Sequence, residues 1–216
     1  MIKSNTITRI KTSFVLLSLI FLMIMYDIFS VYMLIIFGVV SILEFLKISE
    51  KISKKKIINY LLNFIFISYI FFFSYFYFYI LQFFQLKILL FILLFGCVAS
   101  DIGGFIFGRI FKGPKLTKIS PKKTFSGSFG SIIFSCITIS FAIFILTNNF
   151  SFAIMSVGFF TSLGCQIGDL IFSYLKRKAK LKDTGKILPG HGGVLDRIDG
   201  ILLGVPVGII SLIIIS

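Results

Sequence analysis

The chain has 216 residues, 57 % of them hydrophobic, and a formal net charge of +14 at neutral pH. A soluble domain of this length hides its apolar residues in one core under a more charged surface, so the composition excludes an ordinary soluble fold. The positive charge would suggest nucleic acid in a soluble chain, but beside long apolar runs it is explained first by membrane topology, and no nucleic-acid partner is expected.

Seven apolar segments can be drawn, at roughly 12–26, 28–46, 57–79, 86–107, 127–147, 152–172 and 198–216. Their lengths approach the ~20 residues a bilayer requires of a helix. They predict an all-α, polytopic transmembrane bundle, a single integral-membrane domain over 1–216. The first segment is short and has the basic start of a signal peptide, but no small-residue cleavage site follows and the second run begins at once. It is read as a helix or half-helix. The many phenylalanines are read as lipid-facing side chains rather than an aromatic binding box. Cys97, Cys136 and Cys165 stand alone in apolar stretches, which fits small buried thiols and neither a zinc site nor a disulfide framework.

Every basic residue except Lys87 falls at the N-terminus or in the second, fourth and sixth connections. By the positive-inside rule these lie in the cytoplasm, the N-terminus with them and the C-terminus opposite. The remaining connections are short and nearly uncharged. Chemistry is therefore expected at the cytoplasmic face, in an inner membrane of bacterial type.

The fourth segment carries Asp101 in Ala-Ser-Asp-Ile-Gly-Gly, where Gly103, Gly104 and Gly108 allow close helix approach. An aspartate at that depth needs a cation, a metal or water, and a pairing with Arg109 two turns later is the plain alternative. The loop that follows is shaped by Pro121. Ser120, Thr124, Ser126 and Ser128 place hydroxyls where the fifth helix begins, beside Lys122 and Lys123. A helix N-terminus with hydroxyls and lysines can cradle phosphate, though basic residues at a membrane surface also serve as topological anchors.

On the sixth segment, Gln166, Asp169, Ser173 and Lys176 follow at spacings of one helical turn and share a face. Asp196 and Asp199 share a face at the start of the last segment. Between them runs a loop containing Lys182-Asp183, then Pro-Gly-His191-Gly192-Gly193, whose glycines let backbone approach a ligand closely. Asp169 and Asp196 are expected at one level on different helices, where two carboxylates repel unless a cation lies between them. Mg²⁺, held through carboxylates and substrate phosphates, is the cation to expect. His191 is either a phosphate contact or a hydrogen-bonding loop residue.

The stretch 173–199 resembles the signature of the phosphatidate cytidylyltransferase (CDP-diacylglycerol synthase) family: Ser-x-aliphatic-Lys-Arg, then Lys-Asp-x-small, then Pro-x-His-Gly-Gly-x-x-Asp-Arg-x-Asp. Gly168-Asp169-Leu170, the Ser-Pro-Lys-Lys-Thr loop at 120–124 and Asp101-Ile-Gly-Gly also look like family features. The resemblance covers about 96–200, which is then the expected catalytic part. Glu44 in Leu-Glu-Phe-Leu is a fainter echo. Many family members have an acidic residue where this chain has Ser126, so any role of that carboxylate does not carry over.

The resemblance implies a nucleotidyltransferase of phospholipid biosynthesis in which phosphatidate attacks CTP, giving CDP-diacylglycerol and pyrophosphate. It implies Asp169, Asp196, Lys176 and Arg197 as catalytic residues. Mg²⁺ would sit on Asp169, Asp196 and Asp199, with a second cation compatible. Ser120, Lys122, Lys123, Thr124, Ser173, Arg177, Lys182, Asp183, His191, Gly192 and Gly193 would bind substrate. Membrane lipids are the remaining partner, and a homodimer is left open. Two other readings stand beside it: a CTP-dependent polyprenol or diacylglycerol kinase, and a transporter with an intramembrane proton relay. Against the transporter, the acids cluster at one face and no internal repeat is evident.

Overall fold

The computed structural model describes residues 2–117, 119–120, 123–185, 187–190 and 192–215, with side chains given at Thr12 and from Phe14 onward. Seven α-helices follow in chain order: α1 Ile2–Met25, α2 Asp27–Ile52, α3 Lys56–Leu81, α4 Phe84–Ile110, α5 Phe125–Thr147, α6 Phe152–Lys178 and α7 Leu195–Ile215. Each expected apolar segment corresponds to one of them, the first ending at Tyr26, one residue past α1, and the last reaching 216, outside the described residues. The helices overrun the segments at several ends, because backbone hydrogen bonding continues where hydropathy stops. α2, for instance, runs six residues past the apolar stretch ending at 46.

Among the described residues six helices, α2 to α7, are long and apolar enough to cross a membrane, and the described side chains of α1 form a shorter apolar stretch, Phe14–Met25. The chain is therefore an integral membrane protein, all-α among the described residues apart from two isolated bridges. Large apolar side chains such as Phe64, Phe71 and Phe72 on α3 are exposed, the pattern expected of a surface that meets acyl chains.

Local chemistry sets the helix ends. Thr124 caps α5, its hydroxyl accepting the Gly127 N–H at 3.1 Å. Asn148 closes α5 in the left-handed region (φ 53°), its N–H reaching the Phe144 carbonyl. Pro206 lies inside α7 and removes one backbone donor there.

Contacts divide the chain into two compact bodies. One consists of Met1–Phe83 with Leu175–Ile198, the other of Phe84–Tyr174 with Asp199–Ser216. In the first, α1, α2 and α3 pack in sequence order, and Phe45 stacks on Phe66 with ring centroids 4.0 Å apart. In the second, α4 and α5 make the closest helix pair. A Cβ on Gly127 would come within 2.8 Å of the Gly104 carbonyl, and one on Gly103 would strike the Gly130 carbonyl. Only glycine permits that approach. α6 and the body of α7 meet in the same way, where a Cβ on Gly164 would lie 2.9 Å from the Gly204 Cα. Cys97 and Cys165 are buried there, as expected of small buried thiols, whereas Cys136 on α5 is only half-buried.

Candidate active site

The close α4–α5 approach has a chemical consequence in the second body. It brings Asp101 and Gly104 of α4 beside Thr124, Gly127, Ser128 and Ser131 at the start of α5. Together with Phe105, Leu116, Lys123, Gln166 and Asp169 they line a cavity of about 180 Å³. The loop between α4 and α5 is pinned by its own backbone. Leu116 N–H donates to the Lys123 carbonyl at 2.8 Å, and Phe125 N–H donates to the Pro114 carbonyl at 3.1 Å. A further turn, Lys123 N–H to the Ser120 carbonyl at 3.0 Å, aims the Lys123 side chain.

Lys123 forms an ion pair with Asp169. The other Asp169 oxygen accepts the Ser173 hydroxyl at 3.3 Å, one helical turn along α6. Both partners keep some solvent, with side-chain exposures of 24 % and 33 %. Gln166 is locked more firmly. Its amide oxygen accepts the Ser128 hydroxyl, and its amide nitrogen donates to the Ser128 carbonyl (3.3 Å) and the Ser162 hydroxyl (3.2 Å). The cavity thus offers a cation, the two carboxylates of Asp101 and Asp169, and hydroxyls, with the Phe105 and Leu116 side chains as its apolar part. Arg109 lies over the Phe105 ring, 5.9 Å from its centroid.

In the first body the polar centre is the loop between α6 and α7. Asp196 is its hub. Oδ1 accepts the Lys176 ammonium at 2.6 Å, while Oδ2 accepts the Thr184 N–H (2.8 Å) and the Gly193 N–H (3.0 Å). The pair is largely out of solvent, with side-chain exposures of 11 % for Lys176 and 8 % for Asp196. Such a pair persists only when further hydrogen bonds satisfy it, and the two backbone donors do that. Leu188 and Gly192 exchange backbone hydrogen bonds at 2.9 and 3.1 Å, closing a tight turn in which Gly192 has φ 88°. That left-handed conformation strains any other residue. A Cβ on Gly192 would also meet the Asp196 carboxylate at 2.9 Å and the Asp183 Cβ at 3.4 Å. Arg177 donates to the Leu181 carbonyl at 3.3 Å. Lys182, Asp183 and Arg197 are exposed.

Of the residues expected from the sequence, Lys123, Thr124 and Asp169 come together in the cavity of the second body. Ser120 shapes the adjoining turn and Ser173 supports Asp169. Asp199 in that body is buried, at 8 % exposure, and one of its oxygens accepts the neighbouring Gly200 N–H at 2.9 Å. In the first body Lys176, Gly192, Gly193 and Asp196 are joined around one carboxylate. Lys122 and His191 lie outside the described residues. Gln166 and Glu44 were not expected as site residues. Both had a signal, a polar side chain inside an apolar run.

The three acids expected to hold Mg²⁺ differ in what they offer. Asp169 borders the cavity and retains solvent exposure, and among the described residues it meets the Lys123 ammonium and the Ser173 hydroxyl, so a hard cation that keeps part of its water would share the carboxylate with Lys123 or replace it. Asp196 already takes three donors, and a cation there has to share the carboxylate with Lys176 or replace it. Among the described residues no three acidic, histidine or cysteine side chains gather as a ligand set. A cation bound through one or two carboxylates and substrate phosphates needs no such set.

Comparison with known proteins adds an independent line. The sequence pattern of the cytidylyltransferase family matches residues 2–215. A phosphatidate cytidylyltransferase of Helicobacter pylori is 42 % identical over 107 residues, covering 50 % of this chain and 40 % of that protein. One of Rickettsia felis is 42 % identical over 126 residues, covering 54 % and 56 %. One of Mycobacterium leprae is 38 % identical over 113 residues, covering 52 % and 36 %. The matched stretch therefore spans about half or less of these relatives' own length.

Proposed function

The chain belongs to the cytidylyltransferase family, and on that premise we propose that it transfers the cytidylyl group of CTP to phosphatidate, giving CDP-diacylglycerol and pyrophosphate. The observation that carries the reading is the identity of about 40 % to relatives named phosphatidate cytidylyltransferase. The chemistry of the two polar centres supports it. In this reaction a phosphate oxygen of the lipid attacks the α-phosphorus of CTP, the bond from that phosphorus to the β-phosphate oxygen breaks, and pyrophosphate leaves with the electron pair. No protein nucleophile is required. The protein positions two anions and neutralises the charge that develops between them.

Lys123 and the Thr124 hydroxyl, with Ser120 and Lys122, take the triphosphate. Lys176, Arg177, Lys182 and Arg197 serve the lipid phosphate and the leaving pyrophosphate. Asp183, His191, Gly192 and Gly193 complete the substrate contacts. Asp169 is the first candidate to hold Mg²⁺, with Asp196 and Asp199 as further carboxylates. When bound, the cation supplies charge neutralisation on phosphate oxygens. The apolar helices let both acyl tails remain in the bilayer while the head group is held. Purified protein given α-labelled CTP and phosphatidate is expected to form labelled CDP-diacylglycerol and unlabelled pyrophosphate. Release of labelled CDP, with phosphate moved to a lipid alcohol, would replace the reading by that of a kinase.

Two further results are expected. Removing a charge-assisted hydrogen bond typically costs about 1.5–3 kcal/mol, roughly a ten- to hundredfold change in binding. Lys123→Ala is therefore expected to raise KM for CTP or lower kcat on that scale without altering membrane insertion. If Lys122→Ala and Lys123→Ala both leave CTP kinetics within about twofold of the parent, far below a tenfold effect, the loop is an anchor only.

We also propose that the active face is cytoplasmic, in an inner membrane, from the distribution of basic residues. In a cysteine-free background, single cysteines at Lys115 and Lys180 should react with an impermeant maleimide from the cytoplasmic side alone. One at Asn149, across α5, should react from the other side alone. Reaction of all three from one side would contradict the proposed helix parity.

A further inference from the structure

Glu44 has no part in the chemistry above, yet it is 1 % exposed, near the C-terminal end of α2. Its carboxylate accepts three donors from the loop before α7. They are the Thr184 hydroxyl at 2.7 Å, the Val194 N–H at 3.1 Å and the Leu195 N–H at 2.9 Å. The last two are donors at the start of α7, which no turn of that helix can satisfy. Val194, at the cap position, brings no side-chain acceptor of its own. Glu44 thus caps α7 from 150 residues away.

The fit around it is close. A Cβ on Gly193 would run into the Thr184 hydroxyl and both Glu44 oxygens, and one on Gly185 would strike Glu44 Oε1. The loop backbone is gripped by two carboxylates. Asp196 takes the N–H groups of Thr184 and Gly193, and Glu44 takes the Thr184 hydroxyl and the next two N–H groups. Burying a carboxyl this completely costs several kcal/mol unless donors replace its water. A serine or asparagine at position 194 would cap α7 without that cost. The extra that Glu44 delivers is a fixed attachment of the loop to α2.

We propose that Glu44 is a positioning residue: it holds the backbone from which Lys182, Asp183 and Arg197 project, in the place their substrate contacts require. The inference rests on the reading of that loop as part of the cytidylyl-transfer site. Glu44→Gln keeps the shape but puts an amide NH₂ where one oxygen accepted, so one backbone donor loses its partner. Thr184→Val removes the hydroxyl donor alone, and Thr184→Ser restores it.

The test is made on the full chain in liposomes, with two readouts. Hydrogen exchange measures the peptide spanning 184–195 against one within α4–α5. Steady-state kinetics measures kcat and KM for CTP and phosphatidate. Glu44→Gln should speed exchange in 184–195 at least tenfold with the α4–α5 peptide unchanged. It should lower kcat roughly ten- to hundredfold, the scale of a small misplacement of reacting groups, with KM for CTP within about threefold. Thr184→Val should show part of both effects, and Thr184→Ser neither.

Faster loop exchange with kcat intact would overturn the proposal, as would a lower kcat with exchange unchanged. Exchange rising equally in α4–α5, with activity tracking the folded fraction, would reduce Glu44 to a stability residue and overturn it too. If the parent chain transfers no cytidylyl group while Glu44→Gln still frees the loop alone, the attachment stands and the proposed reaction is what fails.

Discussion

Asp169→Asn is expected to lower cytidylyl transfer by roughly two to three orders of magnitude, the scale seen when one charge-stabilising group leaves an active site. The folded protein should still accumulate in the membrane. The carboxylate lines the cavity and, among the described residues, meets the Lys123 ammonium and the Ser173 hydroxyl, which are side chains rather than helix backbone. Asparagine keeps an oxygen for Ser173 but loses the charge that holds Lys123 and would attract Mg²⁺. Because both side chains retain some solvent, the stability effect is expected to be small. The measurement is labelled CDP-diacylglycerol formed per unit of folded protein, at saturating and limiting Mg²⁺. Residual activity above about a tenth of the parent, less than one tenfold step of ~1.4 kcal/mol, would remove Asp169 from the catalytic set. Full activity of the parent in excess EDTA would remove Mg²⁺ from the proposal.

Asp196→Ala is expected to be the most destabilising single change at the site, by about 3–5 kcal/mol, because it removes the carboxylate that accepts the largely buried Lys176 ammonium at 2.6 Å. It also strands the Thr184 and Gly193 N–H groups, each a buried donor with no replacement. Asp196→Asn is milder, since one amide oxygen can still accept from the loop, but Lys176 loses the carboxylate charge it pairs with at 2.6 Å. The double variant Lys176→Met/Asp196→Asn removes both charges together. It should therefore recover part of the stability lost in Asp196→Asn while staying inactive, since the proposed reaction uses Lys176. Thermal unfolding in detergent, paired with the transfer assay, separates the two effects. A double variant less stable than Asp196→Asn would show that the 2.6 Å ion pair is not what makes Asp196 indispensable.

The sequence by itself determined the membrane class, the seven apolar segments, the polar connections after the fourth and sixth of them, and the family resemblance. Each depends on information that is local along the chain. Run length and hydropathy mark the helices because a bilayer demands a continuous apolar span. Thr124 marks the start of α5 because capping chemistry acts within a few residues. The helix ends beyond the apolar runs, as in α2 and α6, were not legible in the same way, since hydropathy is blind to a helix that continues into water.

What only the tertiary structure decided is which partner each polar group takes. Lys123 was legible as a phosphate candidate, but its neighbour in the fold is Asp169. Asp196 was legible as a metal candidate, but the fold surrounds it with Lys176 and two loop amides. Glu44 read only as a faint echo of the family, and its three donors stand 140 to 151 residues away. These pairings depend on close approaches that glycines permit, Gly104 and Gly127 between α4 and α5 in one body and Gly193 in the loop before α7 in the other, where tenths of an ångström decide which atoms meet. Spacing along one helix places side chains on a common face. Only packing between segments remote in sequence brings a carboxylate to the donors it binds.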